Sequence, residues 1–310
     1  MNFVYFGSSE FSRIVLAGLC QEGFLPYLVV TKPDKPKGRG LKLAATEVSI
    51  FADSKNIPSV KPQTLRDKNF RQLIQAKNPE YFIVVDYGNI IPEDLLSLPG
   101  KFVLGLHPSL LPLYRGPAPI EYTLLNGDRQ TGLTIFKVDQ QVDSGEIIFQ
   151  KKVPVELDDD HFSLSLKLAR EGAVFLVEGL RKIGDNKYKL NRQSEDKATF
   201  THKFRKSDGT IDWQKPAEDI SNQVRAMVGW PSAHTHYQSR LIKILKAVVI
   251  ASESQLEPGQ IIGANREGIA VACGKGILLI KCLKPEGKKA IEAWEFVSGY
   301  RLKAGERLGK

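Results

Sequence analysis
The chain has 310 residues, 42% of them hydrophobic and 25% charged, and carries a net charge of +9. That length suits two domains better than one, and the composition is that of a globular protein, not of a disordered or fibrous one. No apolar run approaches the roughly 18 residues a membrane span needs, and the three scattered cysteines, Cys20, Cys273 and Cys282, argue against a disulfide framework or structural zinc.

The run NFVYFG (2–7) is β-rich, ends in glycine and follows Met1 directly, without the basic and apolar regions of a secretory leader. Residues 9–22 place Phe11, Ile14, Val15 and Leu19 at helical spacing. PYLVVT (26–31) reads as a strand and KPDKPKGRGLK (32–42) as a basic loop. Helices are expected over 46–55 and 66–77. YFIVVD (81–86) and FVLGLH (102–107) are continuous apolar runs, as expected of parallel strands buried on both faces. A helix over 118–126, strands over 131–138 and 146–155 and a long helix over 161–182 complete a repeating strand–helix pattern. The pattern predicts an α/β fold with a Rossmann-like, mostly parallel sheet.

Composition then changes. Residues 185–209 are polar and lack aliphatic periodicity. Beyond them come one helix (216–228) and short strands at 234–238, 241–250, 259–264, 268–273 and 276–283, split by glycine-rich turns. That spacing suits a small, OB-like β-barrel. The division is a catalytic domain over 1–188, a linker over 189–205 and a barrel over 206–310. Residues 201–310 hold 18 Lys and Arg against 11 Asp and Glu, so most of the positive charge sits in the second domain. A basic domain beside a near-neutral one points to a polyanionic partner, and a simple solubility bias is the alternative. The expected setting is cytoplasmic, without membrane or metal, and the expected state is a monomer.

The first turn, FGSSEF (6–11), follows a strand and opens a helix, but it has no GxGxxG, and no GxxxxGK[ST] occurs anywhere, so a nucleotide cofactor is not expected. His107 leaves a strand and enters the proline-rich loop PSLLPLYRGPAP, and Asp143 sits in a DSG turn after the next strand. A carboxylate that reaches an imidazole orients it and stabilises its protonated form. A structural cap for His107 and an Asx-turn for Asp143 are the bland readings. No G-x-S-x-G elbow and no cysteine near the histidine support a nucleophile. His234 and His236 form an HxH without a third ligand, better read as an exposed β face than as a metal pair. Trp213, Trp230 and Trp294 read as core or interdomain packing.

HPSLLPLYRGPAPI followed by DSG resembles the tetrahydrofolate-dependent formyltransferases. FGSSEF, TKPDKPKGRGLKL, VVDYGNIIP, TGLTIFKVDQQVDSGEI, TIDW, Trp230–Pro231, PGQII and GILLIKCLKPEGKK extend the likeness over nearly the whole chain. They resemble the branch that formylates methionyl initiator tRNA in translation initiation. The resemblance implies 10-formyltetrahydrofolate as formyl donor. It implies His107 as oxyanion stabiliser and proton handler, with Asp143 as its electrostatic partner. Ser109, Leu110, Leu111 and Pro112 would line the folate pocket, and Tyr87, Gly88, Asn89 and Ile90 would face the pterin. Lys32, Lys35, Lys37, Arg39 and Lys42 would contact tRNA, with Arg39 at the acceptor stem; taken alone, the charge run reads equally as a solvated loop.

One position departs from the family. Its members usually carry Asn two residues before the histidine, where this chain has Gly105. Residues i and i+2 of a strand share a face, so that amide would reach the same oxyanion, and losing such a donor typically costs about 2.7–4 kcal/mol. Three readings stay open: a replacement donor, for which Asn89 is the candidate; a water in the space; or a catalytically weak RNA-binding relative. On the first two, Gly105→Asn changes activity little; on the last it raises it. An amino sugar nucleotide or a glycinamide ribonucleotide as acceptor, or hydrolysis of the formyl-folate, are the enzyme alternatives.

Overall fold
A computed structural model describes residues 1–37 and 42–309. Residues of two compact units interleave along the chain: 1–119, 130–155 and 164–201 form one, and 120–129, 156–163 and the residues from 202 form the other. The expected boundaries at 188 and 206 cut the chain in sequence order. The two short excursions into the second unit escape such a reading because only non-local packing shows them.

The first unit opens with β1 (Phe3–Gly7), α1 (Glu10–Gln21), β2 (Leu28–Val30) and the short pair β3 (Lys35–Lys37) and β4 (Lys42–Ala44). It continues through α2 (Glu47–Ser54), β5 (Ser59–Val60), α3 (Lys68–Ala76), β6 (Tyr81–Val85), α4 (Glu93–Leu96) and β7 (Phe102–His107). After α5 (Pro119–Leu125) come β8 (Gln130–Lys137), β9 (Ile147–Pro154) and α6 (His161–Gly184). Helix starts follow local chemistry: Ser9, Thr46 and Asp67 each accept a backbone N–H of the first turn of α1, α2 and α3.

The seven strands order as β5-β2-β1-β6-β7-β8-β9. The first five are parallel, and β8 and β9 join antiparallel. Val4, Phe6, Phe82 and Val103 pack on one face with Phe70 and Ile74 of α3 and Leu95 of α4. Tyr5 points to the other face and donates from its hydroxyl to Ser12 O of α1. Leu106 meets α6 on that face, near Gly172. Alternation therefore puts Gly105 and His107 on the Val103 face.

In the second unit, α7 (Ala217–Ala226) precedes β10 (His234–Tyr237), β11 (Arg240–Ile250), β12 (Ile261–Asn265), β13 (Gly268–Ala272), β14 (Ile277–Pro285), β15 (Ile291–Glu292) and α8 (Ala293–Tyr300). The sheet runs β10-β11-β14-β13-β12, with β15 on β14. The last residues close it. Gly305 and Leu308 N–H donate to the Ile261 and Gly259 carbonyls at the β12 edge, and Gly309 N–H donates to His236 O of β10. Trp213, Ile220, Val224, Ile244, Val271, Leu278, Ile280 and Phe296 fill the core. The excursions dock here: Tyr122 stacks on Phe204 at 5.4 Å, and Arg225 donates to Asp159 O at 2.9 Å.

Two readings need correction. His234 is not on an exposed face; it is buried, donating from Nδ1 to Ser232 O at 3.0 Å with Nε2 beside the Thr210 hydroxyl. Trp213 is buried, with its indole N–H on Thr235 Oγ1, whereas Trp230 and Trp294 are exposed. Among the described residues no helix is long and apolar enough to cross a membrane.

Candidate active site
His107 ends β7 and is buried. Its Nε2 lies 2.9 Å from the main-chain carbonyl of Tyr114. A carbonyl oxygen only accepts, so Nε2 carries a proton, and in the neutral ring Nδ1 holds the lone pair. Nδ1 faces Asp143 Oδ2 at 3.6 Å. The pair is therefore arranged for a nitrogen that gains a proton and becomes a cation beside a carboxylate.

Asp143 reaches this place indirectly. β8 is antiparallel, with His107 opposite Thr134 and Leu104 opposite Lys137, and Val138 N–H bonds Val103 O. The end of β8 thus lies beside the start of β7, not beside its end as simple strand-end reasoning expects. The loop 138–146 folds back along β7 to bring Asp143 to the histidine. Asp143 takes a left-handed conformation, φ 53°, and its Oδ2 accepts the Gly116 N–H at 2.8 Å. Gly116 needs to be glycine: its φ is 113°, and a Cβ there would sit 2.7 Å from Thr201 O.

The loop after His107 is tied to β8 and β9. Thr134 Oγ1 donates to Ser109 O at 2.7 Å and accepts from Leu111 N at 3.1 Å, while Gln150 Nε2 donates to Leu111 O at 2.8 Å. The Ser109 hydroxyl donates to Leu113 O. Ser109 and Leu111 are thereby buried, with Leu110 and Pro112 half-buried.

On the same face, Gly105 pairs with Phe136 across the β7–β8 ladder. The ring covers the glycine: a Cβ at 105 would stand 2.6 Å from Phe136 Cζ and 3.0 Å from Cδ1, with Cε1 closer still. The buried ring also meets the His107 imidazole edge-on, centroids 6.5 Å apart. The space that an Asn side chain would use is filled by an aromatic ring from the neighbouring strand.

Tyr87 is buried against Phe6, and burial pushes its phenol up, with the Asn89 side chain pulling the other way. Gly88 has φ 72° with the Lys32 ammonium against it; Asn89 and Ile90 are exposed. Among the described residues no hydrogen bond joins Asn89 to His107 or Asp143. Lys35 and Lys42 are exposed on the β3–β4 pair, the Lys37 backbone belongs to β3, and Arg39 lies outside the described residues. Among the described residues no group of three or more His, Cys, Asp or Glu is placed to hold a metal.

The pattern of the family described as formyl transferase matches residues 1–180, and that of the formyl transferase C-terminal domain matches 203–301. The chain belongs to the formyltransferase family. Methionyl-tRNA formyltransferase of Dictyoglomus turgidum is 42% identical to it over 316 aligned residues, covering 99% of each chain. Methionyl-tRNA formyltransferase of Citrifermentans bemidjiense is 36% identical over 310 residues, covering all of this chain and 97% of that one. Among solved structures, the N-formyltransferase from Helicobacter canadensis, in complex with folinic acid and dTDP-3-aminofucose, matches with a TM-score of 0.64 at 17% identity, over 90% of this chain and 98% of that one. HypX from Aquifex aeolicus, in complex with tetrahydrofolic acid, matches with a TM-score of 0.63 at 14% identity, over 99% of this chain and 48% of that one. At these identities the structural likeness is one of fold. This formyltransferase is an enzyme of the transferase class.

Sequence reasoning missed Phe136, Thr134 and Gln150. Alternation along β8 puts Thr134 and Phe136 on one face, but only the β7–β8 register shows that the ring lies on Gly105.

Proposed function
We propose that this formyltransferase moves the formyl group of 10-formyltetrahydrofolate to the α-amino group of methionyl initiator tRNA. The observation that carries the chemistry is the His107–Asp143 pair, with its proton placed on Nε2 by Tyr114. The acceptor is supported by full-length relatives named for methionyl-tRNA and by the basic barrel domain.

The amine nitrogen attacks the formyl carbon, and an α-amino group with pKa of about 7.7–8.0 is partly nucleophilic at neutral pH. The carbonyl π pair moves to oxygen, and Nδ1 of His107 takes a proton from the new C–N centre. The imidazolium is then a cation beside the oxyanion, stabilised by Asp143. The oxyanion pair re-forms the carbonyl, the C–N10 bond breaks with its electrons on N10, and Nδ1–H protonates N10. One proton leaves the amine and one reaches N10. Ser109, Leu110, Leu111 and Pro112, with the loop 87–90, would bind the folate, and Lys35, Lys37, Arg39 and Lys42 would bind tRNA phosphates.

In this reading Phe136 takes the volume of the amide and excludes water from the imidazole, which leaves His107 and Asp143 as the working groups. The test is acceptor choice. With 10-formyltetrahydrofolate in excess, transfer to methionyl initiator tRNA, to an amino sugar nucleotide and to glycinamide ribonucleotide is measured side by side. Selective transfer to the tRNA supports the proposal; transfer to a small amine but not to tRNA overturns the acceptor, and formate release alone overturns transfer.

A further inference from the structure
The segment expected to link the two domains reaches the catalytic carboxylate. The Asp143 side chain accepts the Gly116 N–H. The left-handed turn at Asp143 is held locally by the Ser144 hydroxyl, which donates to Asp139 Oδ1 at 2.8 Å, and also from a distant segment. The side-chain amide of Gln193 donates one hydrogen to Asp143 O at 2.8 Å and the other to Gly145 O at 2.7 Å. Gln193 Oε1 accepts from Arg115 Nε at 3.0 Å, and because Nε only donates, this bond fixes which end of the amide faces the turn. Arg115 is buried and fixed in turn: its two terminal nitrogens donate to both Glu195 oxygens at 2.9 and 2.8 Å. Its main chain pairs with Thr199 and Thr201. The neighbours of Arg115 in sequence both hydrogen-bond the proposed pair, the Tyr114 carbonyl with His107 and the Gly116 N–H with Asp143.

We infer that Gln193 is a positioning residue for formyl transfer, acting through Asp143, and that Arg115 orients it. Gln193 touches neither imidazole nor reacting atoms. It spans the two carbonyls that flank Ser144 and so holds a non-glycine left-handed turn that the carboxylate alone would not maintain. Without those two donors the turn relaxes and Oδ2 moves from Nδ1. The inference rests on the His107–Asp143 pair being the working pair.

The test is Gln193→Glu, which keeps the size and the Arg115 contact but removes both donors, measured alone and in the Asp143→Asn background. The expected result is a fall in kcat of up to about 10²-fold, the scale of a misplacement near 1 Å. KM for both substrates stays near wild type, and the loss shrinks severalfold when Asp143 is already Asn. An unchanged kcat, or an equal loss in both backgrounds, overturns the inference. Asp143→Asn alone separates the two ideas: if it is fully active, the reading of the pair fails rather than that of Gln193. Arg115→Lys, which keeps the charge but loses the Nε donor, gives a second measurement if Gln193→Glu does not fold. A kcat loss that also shrinks in the Asp143→Asn background supports the inference, and an equal loss or none overturns it.

Discussion
The two members of the proposed catalytic pair are held in different ways. His107 is fixed by its own strand and by a carbonyl seven residues on, whereas Asp143 sits in a loop that folds back along β7 and is gripped by Gln193, 50 residues later. The imidazole is placed by local structure, the carboxylate by a local turn and a distant segment together. The histidine side should therefore tolerate changes in the distant segment, and the carboxylate side should respond to them.

The largest effect expected is at the local end. His107→Ala should lower kcat by about 10²–10⁴-fold, with circular dichroism and tRNA retention unchanged; a loss confined to KM would break the assignment. At the other end, Asp143→Asn keeps the Gly116 contact and removes the charge that stabilises the imidazolium. A kcat loss smaller than that of His107→Ala is expected, and the double variant should be no worse than His107→Ala alone.

The Gly105–Phe136 pair sharpens the comparison, because it sits on the local side. Gly105→Asn alone must displace a buried ring, so it should destabilise the fold by about 1–3 kcal/mol and gain no activity. Phe136→Ala should cost about 3–5 kcal/mol. Combined, the two should fall short of additivity by about 0.5–3 kcal/mol, since the amide then has room. Additive losses in denaturant unfolding would show that the ring and the glycine are not coupled.

Smaller effects are expected away from the pair. Changing Lys35 and Lys42 to Ala together should flatten the salt dependence of tRNA binding by about 1 to 2 in log–log slope, with KM for the formyl donor unchanged. A parallel loss in both substrates would count against an RNA contact. Burial raises the phenols of Tyr5 and Tyr87 and pushes Tyr27 up to about 12. These groups stay neutral in the fold where the unfolded chain ionises, so their stabilisation is whole below pH of about 10 and falls as pH rises towards about 12. Phenolate absorbance followed with circular dichroism checks the sign.

Much of the local side was legible in the sequence. FVLGLH reads as a buried strand because it is apolar on both faces, and its final histidine is conspicuous for the same reason. Asp143 shows as an Asp-Ser-Gly turn. The helices near 9–22, 46–55 and 66–77 show by apolar spacing, and their caps at Ser9, Thr46 and Asp67 came with the structure. The distant side was not legible. Gln193 sits in a polar stretch with no periodicity to betray it, and its partner Arg115 lies 78 residues earlier in the proline-rich loop. Phe136 looked like one more apolar strand residue, and its seat on Gly105 depends on a register that local pattern does not encode. The antiparallel β8 and the closing of the barrel by residues 305–309 likewise depend on partners far along the chain.

The central claim is formyl transfer by a histidine–carboxylate pair whose amide place is filled by a ring. Single-turnover formylation of methionyl initiator tRNA by the wild-type chain, with retention of the same tRNA measured in parallel, tests it most directly. Retention with conversion is the predicted result. Tight retention of the tRNA without conversion would contradict it.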